Sequence, residues 1–319
     1  MNLKIIYHGN CFDGVASAAV FSNFYKARIY PNAEVTYSPA VHRAGNAFDR
    51  EVLSGDENAI VDFKYCADSR LTWWFDHHQS AFLSPEDEAH FHSDKSGKKF
   101  LDVNSKSCAE FIARIARENF GFVDDLQKDL VHWAHIIDGA LYTSPAQCVE
   151  LKEPALKLMQ VIENEKDPDY VEQIIRWMTE QPLQQILKND SILSKLGPII
   201  ENHWKTVDLI KKLAVFSRGV VYFDLIGTDI EAYNKFIPYY HFPEATYVVS
   251  LSRSSFRVKV SVGSNPWAPR PRRHNIAAIC ERYGGGGHAV VGAVSLSPDA
   301  VEDGRRIMRE IIAELEFED

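Results

Sequence analysis

Several things are scarce in this chain. Its five cysteines are odd in number, scattered at positions 11, 66, 108, 148 and 280, and form no CxxC pair. A disulfide framework and a zinc ribbon are therefore disfavoured. There is no basic-then-apolar leader and no long uncharged apolar run, so the sequence reads as cytoplasmic, with no membrane partner. Positive charge is also short: 35 Lys and Arg against 44 Asp and Glu leave a net charge of −9. That balance argues against a broad electrostatic grip on long nucleic acid and fits a small anionic substrate held by local cations. What is present is ordinary for a globular protein: 319 residues, 45% hydrophobic and 25% charged, enough for two domains with sizeable cores.

The most informative stretch is 73–80, WWFDHHQS. The apolar run at 71–75 reads as a buried strand, and Asp76, His77 and His78 fall where it stops. The carboxyl ends of strands are where open α/β sheets place ligands. Upstream, a strand at 3–7 runs into HGNCFDG at 8–14 and then a helix at 14–27. A second strand at 33–39 leads through HRAGNAF at 42–48 to a polar segment, and a third at 58–63 contains Asp62. This alternation predicts a parallel sheet with helices on its faces. Residues 81–106 read as a charged loop, with His90 and His92 on its surface. Ser107 caps a helix at 108–120, and a further helix at about 125–138 delivers Asp138, with His132 and His135 on it as packing or surface residues. Residues 150–216 are rich in helix, and the stripe Ile199, His203, Val207 and Ile210 reads as packing. Strands at 219–227, 245–253 and 256–263 open a second α/β domain. There Arg270, Arg272 and Arg273 cluster, and a helix at 275–283 meets a run of four glycines ending on His288. Such a run lets backbone N–H groups face an anion, and it also suits a flexible turn.

His8, Asp13, Asp62, Asp76, His77 and Asp138 thus all lie at or near the ends of core elements. Acids there are costly unless paired or metal-bound. Any one can be a cap or a turn residue, as Asp13 would be before Gly14; together they point to a shared metal centre.

These residues, in this order, resemble the four motifs of the DHH phosphoesterase superfamily, and residues 274–296 resemble its DHHA1 partner domain. The likeness spans nearly the whole chain and is nearest in pattern to the nano-RNase branch. It implies an α/β fold: an N-terminal parallel-sheet DHH domain at 1–185, a helical linker at 186–217, and a smaller C-terminal α/β DHHA1 domain at 218–319, with the active site in the cleft between them. It implies His8, Asp13, Asp62, His77 and Asp138 as metal ligands, Asp62 bridging. Asp76 would orient an imidazole and His78 would touch the substrate phosphate. Gly286, Gly287 and His288, with Arg253, Arg270 and Arg273, would hold the nucleotide. Carboxylates and imidazoles suit two Mn2+ ions, with Mg2+ or Co2+ as substitutes.

The implied activity is hydrolysis of short oligonucleotides or cyclic nucleotides. A 3′-phosphoadenosine-type phosphatase and a polyphosphatase belong to the same class. Processive degradation of long strands fits poorly with a short acidic chain lacking an aromatic–basic channel. One position departs from the pattern: the first acid of the D-x-D in motif I is Cys11, beside Asn10. Either residue stands in as a ligand, or one site fills only partly, which leaves a weakened nucleotide sensor as the reading from another class. Oligomeric state, including a homodimer, is left open.

Overall fold

The computed structural model describes residues 1–41, 50–230 and 232–317; the connector at 42–48 lies outside the described residues. The chain divides into two compact units, Met1–Tyr142 with Lys152–Ile199, and Thr143–Leu151 with Ile200–Asp319.

The first unit opens with β1 (Asn2–His8), α1 (Phe12–Arg28), β2 (Glu34–Ala40), β3 (Glu57–Val61), β4 (Leu71–Asp76), α2 (Pro85–Ser93) and β5 (Lys99–Leu101). All five strands are parallel, in the order β2-β1-β3-β4-β5. The order reverses beside β1, so β1 and β3 flank the kind of crevice where such sheets bind ligands. Next come α3 (Cys108–Phe120) and α4 (Lys128–Asp138), both packed on α1.

The aromatic run in β4 is apolar on both sides because both sheet faces are covered. Trp73 and Phe75 meet Phe21 of α1, while Trp74 meets Tyr65, Phe82 and Phe91. Phe91 belongs to α2, which corrects the loop expected over 81–106. That segment holds α2 and β5, and β5 pairs with β4. Its helix start is written in Ser84-Pro85: the Ser84 hydroxyl accepts from the Asp87 N–H, with Pro at the first turn. Apolar periodicity is nearly absent there, which hid the helix.

After α5 (Pro145–Val149), which belongs to the second unit, α6 (Pro154–Asn164), α7 (Pro168–Glu180) and α8 (Leu183–Ile186) return to the first. The long α9 (Asp190–Leu213) passes from one unit into the other between Ile199 and Ile200, inside the segment expected as a linker. Residues 143–151 join the second unit for a local reason. His203 bonds the Val149 carbonyl at 2.7 Å, Asn234 donates to the Cys148 carbonyl, and Tyr240 donates to Glu150. His203, Val207 and Ile210 are buried, as the packing stripe requires.

The second unit continues with β6 (Val215–Ser217), β7 (Val220–Asp224), α10 (Ile237–His241), β8 (Tyr247–Arg253), β9 (Val258–Ser264), α11 (Ile276–Glu281), β10 (Gly286–His288), β11 (Val291–Leu296) and α12 (Val301–Leu315). Its sheet runs β10-β11-β9-β8-β7-β6, with β7 and β8 parallel and the other pairs antiparallel. Alternate residues Tyr247, Val249, Leu251, Val258, Val260 and Val262 face a core shared with α11 and α12. Among the described residues no helix is long and apolar enough to cross a membrane.

Candidate metal centre

His8 ends β1, Asp62 follows β3 directly, and Asp76 ends β4, so the parallel register carries all three to one edge of the sheet. Asp62 has φ +58, a left-handed conformation uncommon outside glycine. Strain of that kind persists where the surroundings fix it and is concentrated at functional sites.

Three groups of ligand-type atoms lie there, the atoms of each within 4.8 Å of one another: His8–Cys11–Asp62, Asp62–His77–His78, and Asp13–His77–Asp138. Asp62 and His77 each belong to two of them. His77 Nε2 lies 3.2 Å from Asp62, 3.5 Å from Asp138 and 3.8 Å from Asp13. Its Nδ1 lies 3.1 Å from the Ser105 carbonyl oxygen. A carbonyl only accepts, so Nδ1 carries a proton; the carboxylates also favour a proton on Nε2, which must leave before that atom can meet a metal ion.

Asp76 is fully buried and shapes the turn. One of its oxygens accepts from the His77 and His78 N–H groups and lies 2.7 Å from His78 Nδ1. The imidazole it orients is thus that of His78. Asp13 is not the cap of α1; Cys11 holds that position and Asp13 lies in the first turn. Its two oxygens accept the Cys108 and Ala109 N–H groups, at 2.6 and 3.1 Å, where the start of α3 offers unpaired donors. Asp138 ends α4, where the helix dipole disfavours an anion and favours a cation beside it.

Burial and the charges of Asp62 and Asp138 push the Asp13 carboxyl well up. Burial and Asp62 raise Asp138 as well. For Asp62 burial acts upward, but His77 and His8 outweigh it and hold the carboxyl below its usual range. For His77 burial acts downward, but Asp62, and then Asp13 and Asp138, raise it to about 10. The residues fit divalent cations. The ion-pair partners of Asp13, Asp62 and Asp138 are imidazoles. Asp76 Oδ2 is buried with no hydrogen-bond partner among the described residues, and the buried Asp62 Oδ1 and His77 Nε2 face each other at 3.2 Å, an arrangement that is costly unless a further ligand completes it.

A pH dependence follows. The raised His77 value contributes stability that is complete below about pH 6.5 and lost as pH rises through about 10. The raised Asp13 and Asp138 carboxyls have the same sign: their contribution is present at low pH and lost as pH rises. With a chelator present, Tm is expected to fall between about pH 6 and about pH 10. Divalent-ion affinity is expected to rise over the same range, because the ligands must lose their protons. Thermal melts with and without chelator check both; a chelated protein whose Tm climbs with pH contradicts the assignment.

In the second unit Gly286, Gly287 and His288 line a cavity of about 580 Å3 with Lys235, Arg257, Lys259, Ser252 and Ser261. Gly285 and Gly287 have a structural duty, since a Cβ on either would sit 2.2 or 2.3 Å from a carbonyl oxygen of β11; at Gly286 nothing lies within 4 Å. The arginines singled out from sequence are elsewhere. Arg253 pairs in register with Val258, on the core face of the sheet, and lies near Asp299. Arg270 and Arg273 pack over the Phe317 ring, and Arg272 donates to the His274 carbonyl. The cations that do line the cavity, Lys235, Arg257 and Lys259, were missed. Strand parity from Ser261 through Lys259 offered a signal for the last, since Lys259 faces Ser252 across the ladder.

Fold and site together define a class: two α/β units, the first carrying a carboxylate–imidazole centre at the ends of parallel strands. The chain has the fold of the DHH/DHHA1 phosphoesterases. No protein-family model and no curated protein matches it. Among solved structures it is similar to PggH, a pGpG-specific phosphodiesterase from Vibrio cholerae, at TM-score 0.72 and 18% identity over 99% of each chain. It is also similar to RecJ from Thermus thermophilus in complex with Mg2+, at TM-score 0.51 and 13% identity, covering all of this chain and 50% of that one. A manganese-bound exonuclease RecJ gives TM-score 0.51 at 12% identity, over 100% of this chain and 91% of that one.

Proposed function

We propose that this protein is a metal-dependent phosphodiesterase acting on short oligonucleotides or cyclic (di)nucleotides, with Mn2+ as the preferred ion and the cytoplasm as its compartment. The observation that carries this reading is His77: its proton is fixed on Nδ1 by the Ser105 carbonyl while Nε2 faces three carboxylates. Divalent ions there would supply Lewis acidity to the phosphoryl oxygens and a lowered pKa for the attacking water. In this reading Asp13, Asp62, His77 and Asp138 hold one ion, and His8 and Asp62 contribute to the other. His78, its Nδ1 held by Asp76, presents Nε2 to a phosphate oxygen. In the second unit, Gly286, Gly287 and His288 offer a nucleotide-binding element, supported by the cations of the cavity they line. The solved relatives named above include a pGpG-specific phosphodiesterase, which favours a small substrate.

The test is product analysis with purified protein, Mn2+ and a panel: an RNA dinucleotide, a five-mer, a cyclic dinucleotide, a 3′,5′-cyclic mononucleotide, a 3′-phosphoadenosine nucleotide and polyphosphate, each with a chelator control. Chelator-sensitive release of mononucleotides from the short RNAs supports the proposal and selects among its substrates. Folded protein that binds nucleotide tightly and turns over nothing supports the sensor reading, which the Cys11 departure motivates. His288→Ala is expected to lower kcat/KM about tenfold or more through loss of one ligand contact, with metal content unchanged. Metal loss in that variant, measured by elemental analysis, contradicts the role given to His288.

A further inference from the structure

We infer that Cys11 is itself a metal ligand, and that His8, Cys11 and Asp62 form a sulfur-containing site for a borderline-soft divalent ion such as Zn2+, Co2+ or Fe2+. The inference rests on the reading of this centre as a divalent-ion site and adds a different preference for one of its positions. The Asp13–His77–Asp138 set contains only oxygen and imidazole nitrogen, which suits Mn2+ and Mg2+; a thiolate shifts selection toward softer ions.

The local backbone builds the site. His8 ends β1, Asn10 turns the chain at φ 55, and Cys11 sits at the cap of α1 with its own side chain making no capping bond. Asn accepts the left-handed conformation more readily than most residues, so the His-x-x-Cys spacing folds both ligands onto one tight connection. Their ligand atoms and the Asp62 carboxylate lie within 4.8 Å of one another. Tetrahedral ligands on a zinc-sized ion stand about 3.5 Å apart, so closure needs at most a little over 1 Å of side-chain movement. Asp62 is 1% exposed, and its Oδ2 lies 3.3 Å from His8 Nδ1 while its Oδ1 faces His77 Nε2 at 3.2 Å. Asn10, the other stand-in, is exposed. Cys66, Cys108, Cys148 and Cys280 are buried, and none shares a ligand group among the described residues. On binding, the Cys11 thiol proton leaves to solvent and the ion takes its place.

Co2+ alone is the probe. Chelator-treated protein titrated with Co2+ is expected to develop a thiolate-to-cobalt charge-transfer band in the near ultraviolet, together with visible ligand-field bands. Cys11→Ser and Cys11→Asp should lose the near-ultraviolet band, keep the visible bands of the remaining set, and keep the wild-type circular dichroism. Cys11→Asp should also weaken Zn2+ binding about tenfold or more while Mn2+ binding holds or tightens. Wild-type protein that shows the visible bands without the near-ultraviolet band, a band that survives in Cys11→Ser, or protein that binds no Co2+ overturns the inference. Its fate separates from that of the proposed activity. Hydrolysis without the band removes the sulfur ligand and leaves the phosphodiesterase standing. The band without hydrolysis does the reverse.

Discussion

Asp62→Asn is expected to lower kcat by about three orders of magnitude or more, and to abolish the rise in Tm that divalent ions give the wild type. Asp62 is shared by two of the three ligand groups and lies against both His8 and His77, so no other carboxylate replaces it. In the proposed reading a carboxylate shared by both ligand sets would act on the transition state directly, and each tenfold loss corresponds to about 1.4 kcal/mol. The substitution is otherwise mild. Asn matches the volume and is among the residues that best tolerate the φ of +58 found here. Removing one charge also relieves repulsion on Asp13 and Asp138. It also takes away the carboxylate paired with His8 and His77, and that pairing outweighs burial in holding Asp62 ionised, so chelated Asp62→Asn should melt at or below the chelated wild type near neutral pH. Steady-state kinetics and paired melts check this; a variant that keeps more than about a tenth of the wild-type kcat sinks the assignment of Asp62.

Gly14→Ala is expected to destabilise the protein by about 3 kcal/mol, at the upper end of typical overpacking costs, and to weaken metal binding at the same time. In an ordinary helix the same change is favourable by about 1 kcal/mol, so the sign discriminates. A Cβ at Gly14 would lie 2.1 Å from the His8 carbonyl oxygen and 2.8 Å from the His8 Cβ. The first turn of α1 therefore runs directly against the end of β1. Relief requires the helix to move away from the strand, carrying Asp13 and Cys11 away from His8 and Asp62. At about 2–4 °C per kcal/mol, Tm should drop by roughly 6–12 °C. Gly286→Ala is the control, since nothing lies within 4 Å of its added methyl, and it should leave Tm and metal affinity near wild type. A Gly14→Ala protein with unchanged Tm and metal affinity contradicts the close approach of helix and strand.

Much of this was legible in the chain. The β4 run of aromatics announced a buried strand, and the structure shows Trp73 and Trp74 meeting different layers. The alternation of strand and helix before residue 80 gave the parallel sheet, and parallel strands must bring their carboxyl ends to one edge. That rule is enough to place His8, Asp62 and Asp76 together. Helix α2 escaped notice because its signal lies in its cap and not in its periodicity. Arg270 and Arg273, which form a charge cluster in the sequence, lie over the Phe317 ring, a contact that no local pattern marked.

The sequence by itself determined the class of fold and the edge where the acids and imidazoles gather, because element type and strand direction follow from local pattern. Only the tertiary structure decided which groups share a ligand set, that Asp13 is held by the start of α3 across 95 residues of chain, and that Lys235, Arg257 and Lys259 line the glycine cavity while Arg253 does not. The physical reason is that partner choice depends on distances and on which face of a strand a side chain takes. Those are settled by strand register and by how closely α1 can approach β1, and neither is encoded in any short stretch of residues.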